Sequence, residues 1–181
     1  MCLHGTWHPQ GMNTLKVRLR PVAEPDRPAV LALNHTEVEM LAPMDAARFD
    51  QLRGLAHRFD VIEVEVDGDT EFGGFVITFA PGSAYDSENY AWFSRVYESF
   101  YYLDRIVLHP HVRRRGVGRV VYDELEAIAT AYDRMTLEVN LAPPNPVSLA
   151  FHAAREYVEV GRLGDEDHLV SLQMKELSAE R

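Results

Sequence analysis

Hydrophobic and polar positions follow two periods along the chain, and the change between them predicts its elements. Leu15, Val17 and Leu19 alternate with basic residues, which is the pattern of a strand with one buried face. Strands are predicted from such alternation or from short apolar runs over 14–21, 61–67, 72–79, 101–108, 135–141, 157–162 and 168–174. Apolar residues at helical spacing predict helices over 24–40, 45–56, a segment within 86–100, 117–132 and a segment that Asn145 opens. Because strands and helices interleave without a repeat or linker, we predict one α/β (α+β) domain with a mixed central sheet covered by helices.

Aromatic residues are concentrated ahead of the fourth predicted strand. Trp92 and its neighbours recur at helical spacing, and Asp86 or Ser87 is suited to cap that helix. We expect this aromatic face to pack on the sheet. Tyr85 and Tyr90 have two interpretations, since they could pack in the same way or form the wall of a lid or acceptor pocket.

Composition and charge limit the classes of partner. Of 181 residues, 46% are hydrophobic and 25% are charged, which is an ordinary balance for a globular domain. The net charge of −10 would repel a phosphate backbone, so nucleic acid is excluded as the main partner. No apolar run is long enough to span a bilayer and nothing resembles a secretory signal, so no membrane partner is expected. The only cysteine cannot form an internal disulfide, and we therefore expect a cytoplasmic protein.

The first eleven residues show no periodicity, which predicts a weakly ordered extension over 1–11 ahead of a single domain over 12–181. Cys2, His4 and His8 have the chemistry of zinc ligands, but a structural zinc site needs four ligands. Because no further ligand is evident nearby, we predict no bound metal.

The most informative stretch lies between the fourth predicted strand and the helix that follows it. It reads Leu108-His109-Pro110-His111-Val112-Arg113-Arg114-Arg115-Gly116-Val117-Gly118. Glycines and arginines at a helix N-terminus form an anion cradle, because backbone N–H groups point outward and the helix dipole favours negative charge. The spacing matches neither the nucleotide P-loop nor the dinucleotide fingerprint. A diphosphate-bearing cofactor of another kind is therefore predicted.

These residues resemble the signature of the GNAT superfamily of N-acetyltransferases, Arg/Gln-x-x-Gly-x-Gly/Ala, at Arg113, Gly116 and Gly118. Leu108-x-Pro110 stands where the family usually has Val-x-Pro, and the order of predicted elements is similar over nearly the whole chain from residue 14. The wider pattern resembles a bacterial subgroup of predicted acetyltransferases. The resemblance implies a mostly antiparallel sheet whose strands at 101–108 and 135–141 splay apart, and acetyl-coenzyme A as co-substrate.

The resemblance also implies which residues hold coenzyme A. Amides of the turn would bind the pyrophosphate, and they belong to Arg113, Arg114, Arg115, Gly116, Val117 and Gly118. Main-chain groups of Ile106, Val107 and Leu108 would pair with the pantetheine arm as an added strand does. Asn145, with Asn140 as an alternative, matches a family asparagine near the next helix, and Ser148 could also contact the cofactor.

Acetyl transfer to an amine needs a base, and several residues are candidates. Asp104 on the motif strand is our first candidate, although it could equally be a structural partner of Arg105. Tyr102 lies on the same strand face by alternation, unless a bulge changes the parity. Glu138 on the neighbouring strand is the rival candidate.

For the acid that protonates the departing thiolate, the family usually has a tyrosine in a helix motif that 145–157 resembles. His152 occupies the tyrosine position, and Glu156-Tyr157 replaces Gly-Phe. An imidazolium with a pKa of about 6.5 can protonate a thiolate whose thiol has a pKa of about 8.5. The alternative is that His152 is simply packed within the fold.

We therefore predict an acetyl-coenzyme A-dependent N-acetyltransferase that acts on a primary amine by direct attack in a ternary complex. Acidic residues on the expected acceptor side would attract a cationic amine, and they are Glu37, Glu39, Asp45 and Asp60. Two alternatives remain, a non-catalytic domain that binds or senses acyl-coenzyme A and a module that binds a partner through the aromatic stretch. The family includes dimers, so a homodimer is a further expectation.

Overall fold

The computed structural model describes residues 15–38 and 41–177, and the predicted extension over 1–11 lies outside them. Seven strands are present: β1 (Val17–Pro21), β2 (Arg58–Val66), β3 (Asp69–Phe79), β4 (Tyr101–Leu108), β5 (Arg134–Ala142), β6 (Val158–Gly164) and β7 (Leu169–Glu176). Five α-helices are described: α1 (Arg27–Thr36), α2 (Ala46–Leu55), α3 (Glu88–Val96), α4 (Val117–Ala129) and α5 (Pro146–Ala154). Single 3₁₀ turns occur at Glu24–Asp26, Pro110–Val112 and Thr130–Tyr132.

The strands form one sheet in the order β1-β2-β3-β4-β5-β7-β6. Neighbouring strands are antiparallel except β4 and β5, which are parallel. The predicted mixed, mostly antiparallel α/β fold is therefore confirmed. Among the described residues no helix is long and apolar enough to cross a membrane.

A hydrophobic core lies on each face of the sheet. On one face, α1, α2 and α3 pack over side chains that include Phe75, Phe79 and Tyr102. On the other face, α4 and α5 pack over side chains that include Leu103 and Leu137. Alternation along each strand thus assigns successive side chains to the two helical layers.

The aromatic stretch packs on the sheet as expected. Ser87 caps α3, since its hydroxyl accepts a hydrogen bond from the Tyr90 amide at 3.3 Å. Tyr85 and Tyr90 are buried too, and the Tyr85 ring stacks on Phe79 with 3.9 Å between centroids. The packing interpretation therefore describes both tyrosines.

The first predicted helix, over 24–40, is shorter in the structure. Glu24–Asp26 forms a separate 3₁₀ turn, and the α-helix runs from Arg27 to Thr36. Pro28 has no amide proton, so it suits the first turn of a helix and would interrupt one that began earlier.

The parallel strands β4 and β5 separate part-way along their length. They pair only from Tyr101–Met135 to Leu103–Leu137, although β4 continues to Leu108 and β5 to Ala142. We call the point after Leu103 and Leu137 the fork. The predicted splay between these strands is therefore confirmed, and beyond the fork β4 has no strand partner on its β5 side.

Candidate active site

Two carboxylates occupy the fork, because Asp104 and Glu138 are the first residues beyond the last β4–β5 pair. The register between β3 and β4 shifts at this point, since Ile77 pairs with Arg105 but Thr78 pairs with Leu103. Asp104 is thus the extra residue of a bulge: it lies on the face of the sheet that carries Tyr102, as alternation predicts, and the bulge brings Arg105 to that face as well. The structure therefore brings together three of the four residues predicted to be catalytic.

Glu138 has a hydrogen-bonded carboxyl with a strongly raised pKa. Its Oε2 accepts a hydrogen bond from the Tyr102 hydroxyl at 2.6 Å, and Asn89 on α3 also bonds to it. Burial and the neighbouring charge of Asp104 raise the pKa of Glu138 to about 8. Burial also raises the pKa of Tyr102 well above its usual value, so this phenol remains a neutral donor. A carboxyl that titrates near neutral pH is suited to accept a proton from an amine.

Asp104 has both carboxylate oxygens engaged. Its Oδ2 accepts from Arg105 Nε at 2.6 Å, and its Oδ1 accepts from the Tyr85 hydroxyl. The side chains of Asp104 and Arg105 are 5% and 4% exposed, respectively. This is the ion pair that we considered as the alternative role of Asp104, and its role as base stays a prediction.

His152 lies on the opposite face of the sheet from Glu138. Its Nδ1 is 2.7 Å from the Ser148 carbonyl oxygen, which can only accept, so the proton is on Nδ1. Its Nε2 therefore accepts from the Tyr122 hydroxyl at 2.6 Å. Burial lowers the pKa of His152, which favours this neutral form. The structure does not bring His152 to the Tyr102–Glu138 pair, and its role as acid stays a prediction.

The turn before α4 has the backbone geometry of an anion cradle. Arg114 and Gly116 adopt left-handed conformations, with φ of 60° and 83°. The Val120 amide donates to the Gly116 carbonyl at 3.2 Å, so the amides just before it point out of the helix N-terminus. A Cβ added at Gly118 would meet only the Leu108 side chain, at 3.6 Å.

Arg113 is engaged away from this cradle. Its amide donates to the Pro110 carbonyl at 3.3 Å, and its Nε donates to the Leu108 carbonyl at 2.8 Å. Its Nη2 donates to Glu37, beyond the end of α1. Arg114 and Arg115 are exposed beside the cradle, with side chains that can approach an anion.

The remaining cofactor candidates lie beyond the fork. Ile106, Val107 and Leu108 are beyond the fork, where β4 has no partner on its β5 side. Asn145 caps α5, since its Oδ1 accepts from the Ser148 amide at 3.1 Å. The Asn145 amide in turn donates to the Asn140 carbonyl at 3.1 Å, which ties α5 to β5.

The acidic residues expected to attract a cation have local partners. Asp45 caps α2 by accepting from the Arg48 amide at 2.7 Å. Asp60 is buried, which raises its pKa, and it pairs with Arg58. Glu37 pairs with Arg113, whereas Glu39 lies outside the described residues.

Some residues of the site escaped prediction. Asn89 on α3 and Tyr122 on α4 are the partners of Glu138 and His152, respectively. Helical periodicity could place both on their helices, but nothing in a single sequence pairs them with those residues. Within 15–38 and 41–177, no group of three His, Cys, Asp or Glu side chains could hold a metal ion.

Comparison with known proteins identifies the family. The model of the acetyltransferase (GNAT) family matches residues 34–157. Among solved structures, Ard1 from Thermoplasma volcanium is 15% identical with a TM-score of 0.66, and the match covers 90% of this chain and 99% of that one. NAA60 from Arabidopsis thaliana, solved in complex with acetyl-CoA, is 15% identical with a TM-score of 0.68 and coverage of 89% and 99%.

A variant of spermidine N-acetyltransferase SpeG from Vibrio cholerae is 17% identical with a TM-score of 0.64, and the match covers 89% of this chain and 94% of that one. At these identities the structures show a shared fold. No curated protein matches the sequence of the chain. The family match spans more than half of the residues, and the chain therefore belongs to the GNAT family and is an acetyltransferase.

Proposed function

We propose that the protein transfers an acetyl group from acetyl-coenzyme A to a primary amine within a ternary complex, with Glu138 as the general base. The observation that carries this proposal is the position of Glu138 at the fork, hydrogen-bonded to Tyr102, with a pKa of about 8. At neutral pH a useful fraction of such a carboxyl is ionised while its basicity is high.

The residues present fit coenzyme A. Left-handed Arg114 and Gly116 turn the amides at the start of α4 toward an anion, and these residues would hold the pyrophosphate. The edge of β4 from Ile106 to Leu108, which no strand covers on its β5 side, would pair with the amide groups of the pantetheine arm. Bound in this way, the co-substrate supplies an acetyl thioester at the fork.

The chain's residues then assist one displacement. The amine nitrogen bonds to the acetyl carbon, Glu138 accepts the proton that the nitrogen loses, and the carbon–sulfur bond breaks with its electron pair on sulfur. The thiolate takes a proton to become the free thiol. His152 could supply that proton only if its Nε2 gave up the hydrogen bond from Tyr122.

A thiol-release assay tests the proposal. Acetyl-coenzyme A is incubated with the protein and either spermidine or a peptide with a free alanine terminus, and the product is identified by mass spectrometry. Glu138→Gln should reduce kcat/KM by roughly 100-fold or more, as expected for loss of a general base. The control Glu159→Gln changes a carboxylate on β6 that bonds to Ser171 and Arg162, and it should leave the rate within about twofold.

Two results would contradict this proposal. If coenzyme A binds but no amine in a broad panel causes thiol release, the domain binds or senses acyl-coenzyme A. If Glu138→Gln retains the wild-type rate at every pH, the base is a different group.

A further inference from the structure

Two arginines tie the α1–α2 connection to β4 and to the turn after it. We use "α1–α2 connection" for the described residues 37, 38 and 41–45. Arg105 on β4 donates from Nη1 to Asn34 Oδ1 at 2.9 Å and to the Ala42 carbonyl at 3.1 Å. Asn34 Nδ2 also donates to the Ala42 carbonyl, at 3.2 Å. Buried Arg105 thus holds the end of α1 and the middle of the connection at one point.

Arg113 holds the start of the same connection. Its Nη2 donates to Glu37, the residue after α1, and its Nε is fixed by the Leu108 carbonyl at 2.8 Å. The Glu37 side chain is 27% exposed and that of Arg113 42%, so this ion pair is more accessible to solvent than the buried contacts of Arg105. The connection is therefore attached at Glu37 and at Ala42.

This attachment bears on the path to Glu138. The Glu138 side chain lies on the sheet face that α1, α2 and α3 cover, while α4 and α5 cover the other face. Arg105 reaches the connection from the bulge, where its carboxylate partner Asp104 occupies the fork beside Glu138. Two elements on that face are linked to the fork: α3 through Asn89, which bonds to Glu138, and the connection through Arg105, which bonds to the Ala42 carbonyl.

We propose that Arg105 and Arg113 are positioning residues, which hold the α1–α2 connection beside the fork so that it forms one wall of the acceptor path. This inference rests on the proposed function, because that function supplies the acceptor. The attachment of the connection by the two arginines does not depend on it. In this proposal the side chain of Arg113 serves the acceptor side of the site. Its backbone lies just before the turn that would bind the phosphates.

Hydrogen exchange tests the attachment without an acceptor. Glu37→Ala removes the accessible contact, and Arg105→Lys cannot keep all the contacts of the buried guanidinium. Peptides that report on 34–38 and 41–45 should exchange about tenfold faster in either variant, since each loses hydrogen bonds worth about 1 kcal/mol or more. The controls Glu65→Ala and Arg134→Lys remove an ion pair with Lys16 and a contact with the Ser99 carbonyl, both away from the connection, and should leave exchange in these peptides unchanged. Unchanged exchange in both test variants would overturn the inference.

Kinetics test the consequence for the acceptor. With whichever of spermidine or the alanine peptide supports turnover, the acceptor KM should rise about tenfold in Glu37→Ala, while the dissociation constant of coenzyme A, measured by calorimetry, stays within about twofold. An equal loss for coenzyme A would overturn the inference, because it would assign these contacts to the cofactor. If Arg105→Lys does not fold, Glu37→Ala decides both tests. If neither amine turns over, the proposed function is in question, and the exchange experiment still decides the attachment.

Discussion

Glu138→Gln should separate the stability of the protein from its activity. The amide has the shape of the carboxyl and its oxygen can still accept the hydrogen bond from Tyr102, but it cannot ionise. In the wild type, burial and the charge of Asp104 raise the pKa of Glu138 from 4.5 to about 8. The ionised side chain is thus an energetic cost to the folded state, and the substitution removes that cost.

The sign and size of the effect follow from proton linkage. Below pH 4.5 the carboxyl is protonated in folded and unfolded chains alike, so ionisation costs no stability there. Between 4.5 and about 8 the unfolded chain releases the proton and the folded chain keeps it, so the free energy of unfolding falls as pH rises. At about 1.4 kcal/mol per pKa unit the full shift corresponds to at most about 5 kcal/mol. Because Glu138 is partly exposed, we expect about 1 to 3 kcal/mol.

Urea unfolding near pH 5 and near pH 9 measures this difference. Glu138→Gln should be more stable than the wild type near pH 9, and its advantage should shrink near pH 5. In parallel, kcat/KM of the wild type relative to the variant should rise with pH up to about 8 and then level off, because only ionised Glu138 accepts a proton. A stability difference that does not depend on pH would refute the shifted pKa. A constant activity ratio would refute the role as base.

Three backbone positions give further predictions, each checked by urea unfolding. Gly116→Ala should lower the free energy of unfolding by about 1 kcal/mol and weaken coenzyme A binding in calorimetry, because a φ of 83° is strained for alanine. The control Gly118→Ala should change the free energy of unfolding by no more than about 0.5 kcal/mol. Glu156→Gly should stabilise the protein by about 0.5–1 kcal/mol, since Glu156 has a φ of 69° after α5, a conformation that favours glycine. Glu156→Ala should give no such gain. An equal gain in the alanine variant would mean that the lost charge, and not the backbone, is responsible. Gly161→Ala should cost about 1–3 kcal/mol, because its Cβ would lie 2.8 Å from the Trp92 ring. Much of that cost should disappear in a Trp92→Leu background, and additive costs would exclude the clash.

The sequence predicts features that depend on neighbouring residues better than features that depend on distant ones. β4 has the predicted bounds, and Ser87 was one of two candidates for the cap of α3. Both features follow from local patterns of apolar residues and from capping chemistry. The contact between Arg113 and Glu37 joins residues 76 positions apart, and no local pattern encodes such a pair. The turn before α4 was therefore predictable as a turn, whereas the partner of its first arginine was not.

The bulge at Asp104 explains why the polar groups of the site meet at the fork. Without an extra residue, regular alternation would keep Asp104 with Tyr102 but turn Arg105 toward the apolar core under α4. With the bulge, Asp104 and Arg105 share the face of Tyr102, so the guanidinium can reach Asn34 while it pairs with Asp104. Pairing between β4 and β5 stops just before Asp104, so that β4 has no strand partner on its β5 side beyond it. One inserted residue thus sets the polarity of the face that carries Tyr102 and Glu138, and the parity of the sequence alone could not show it.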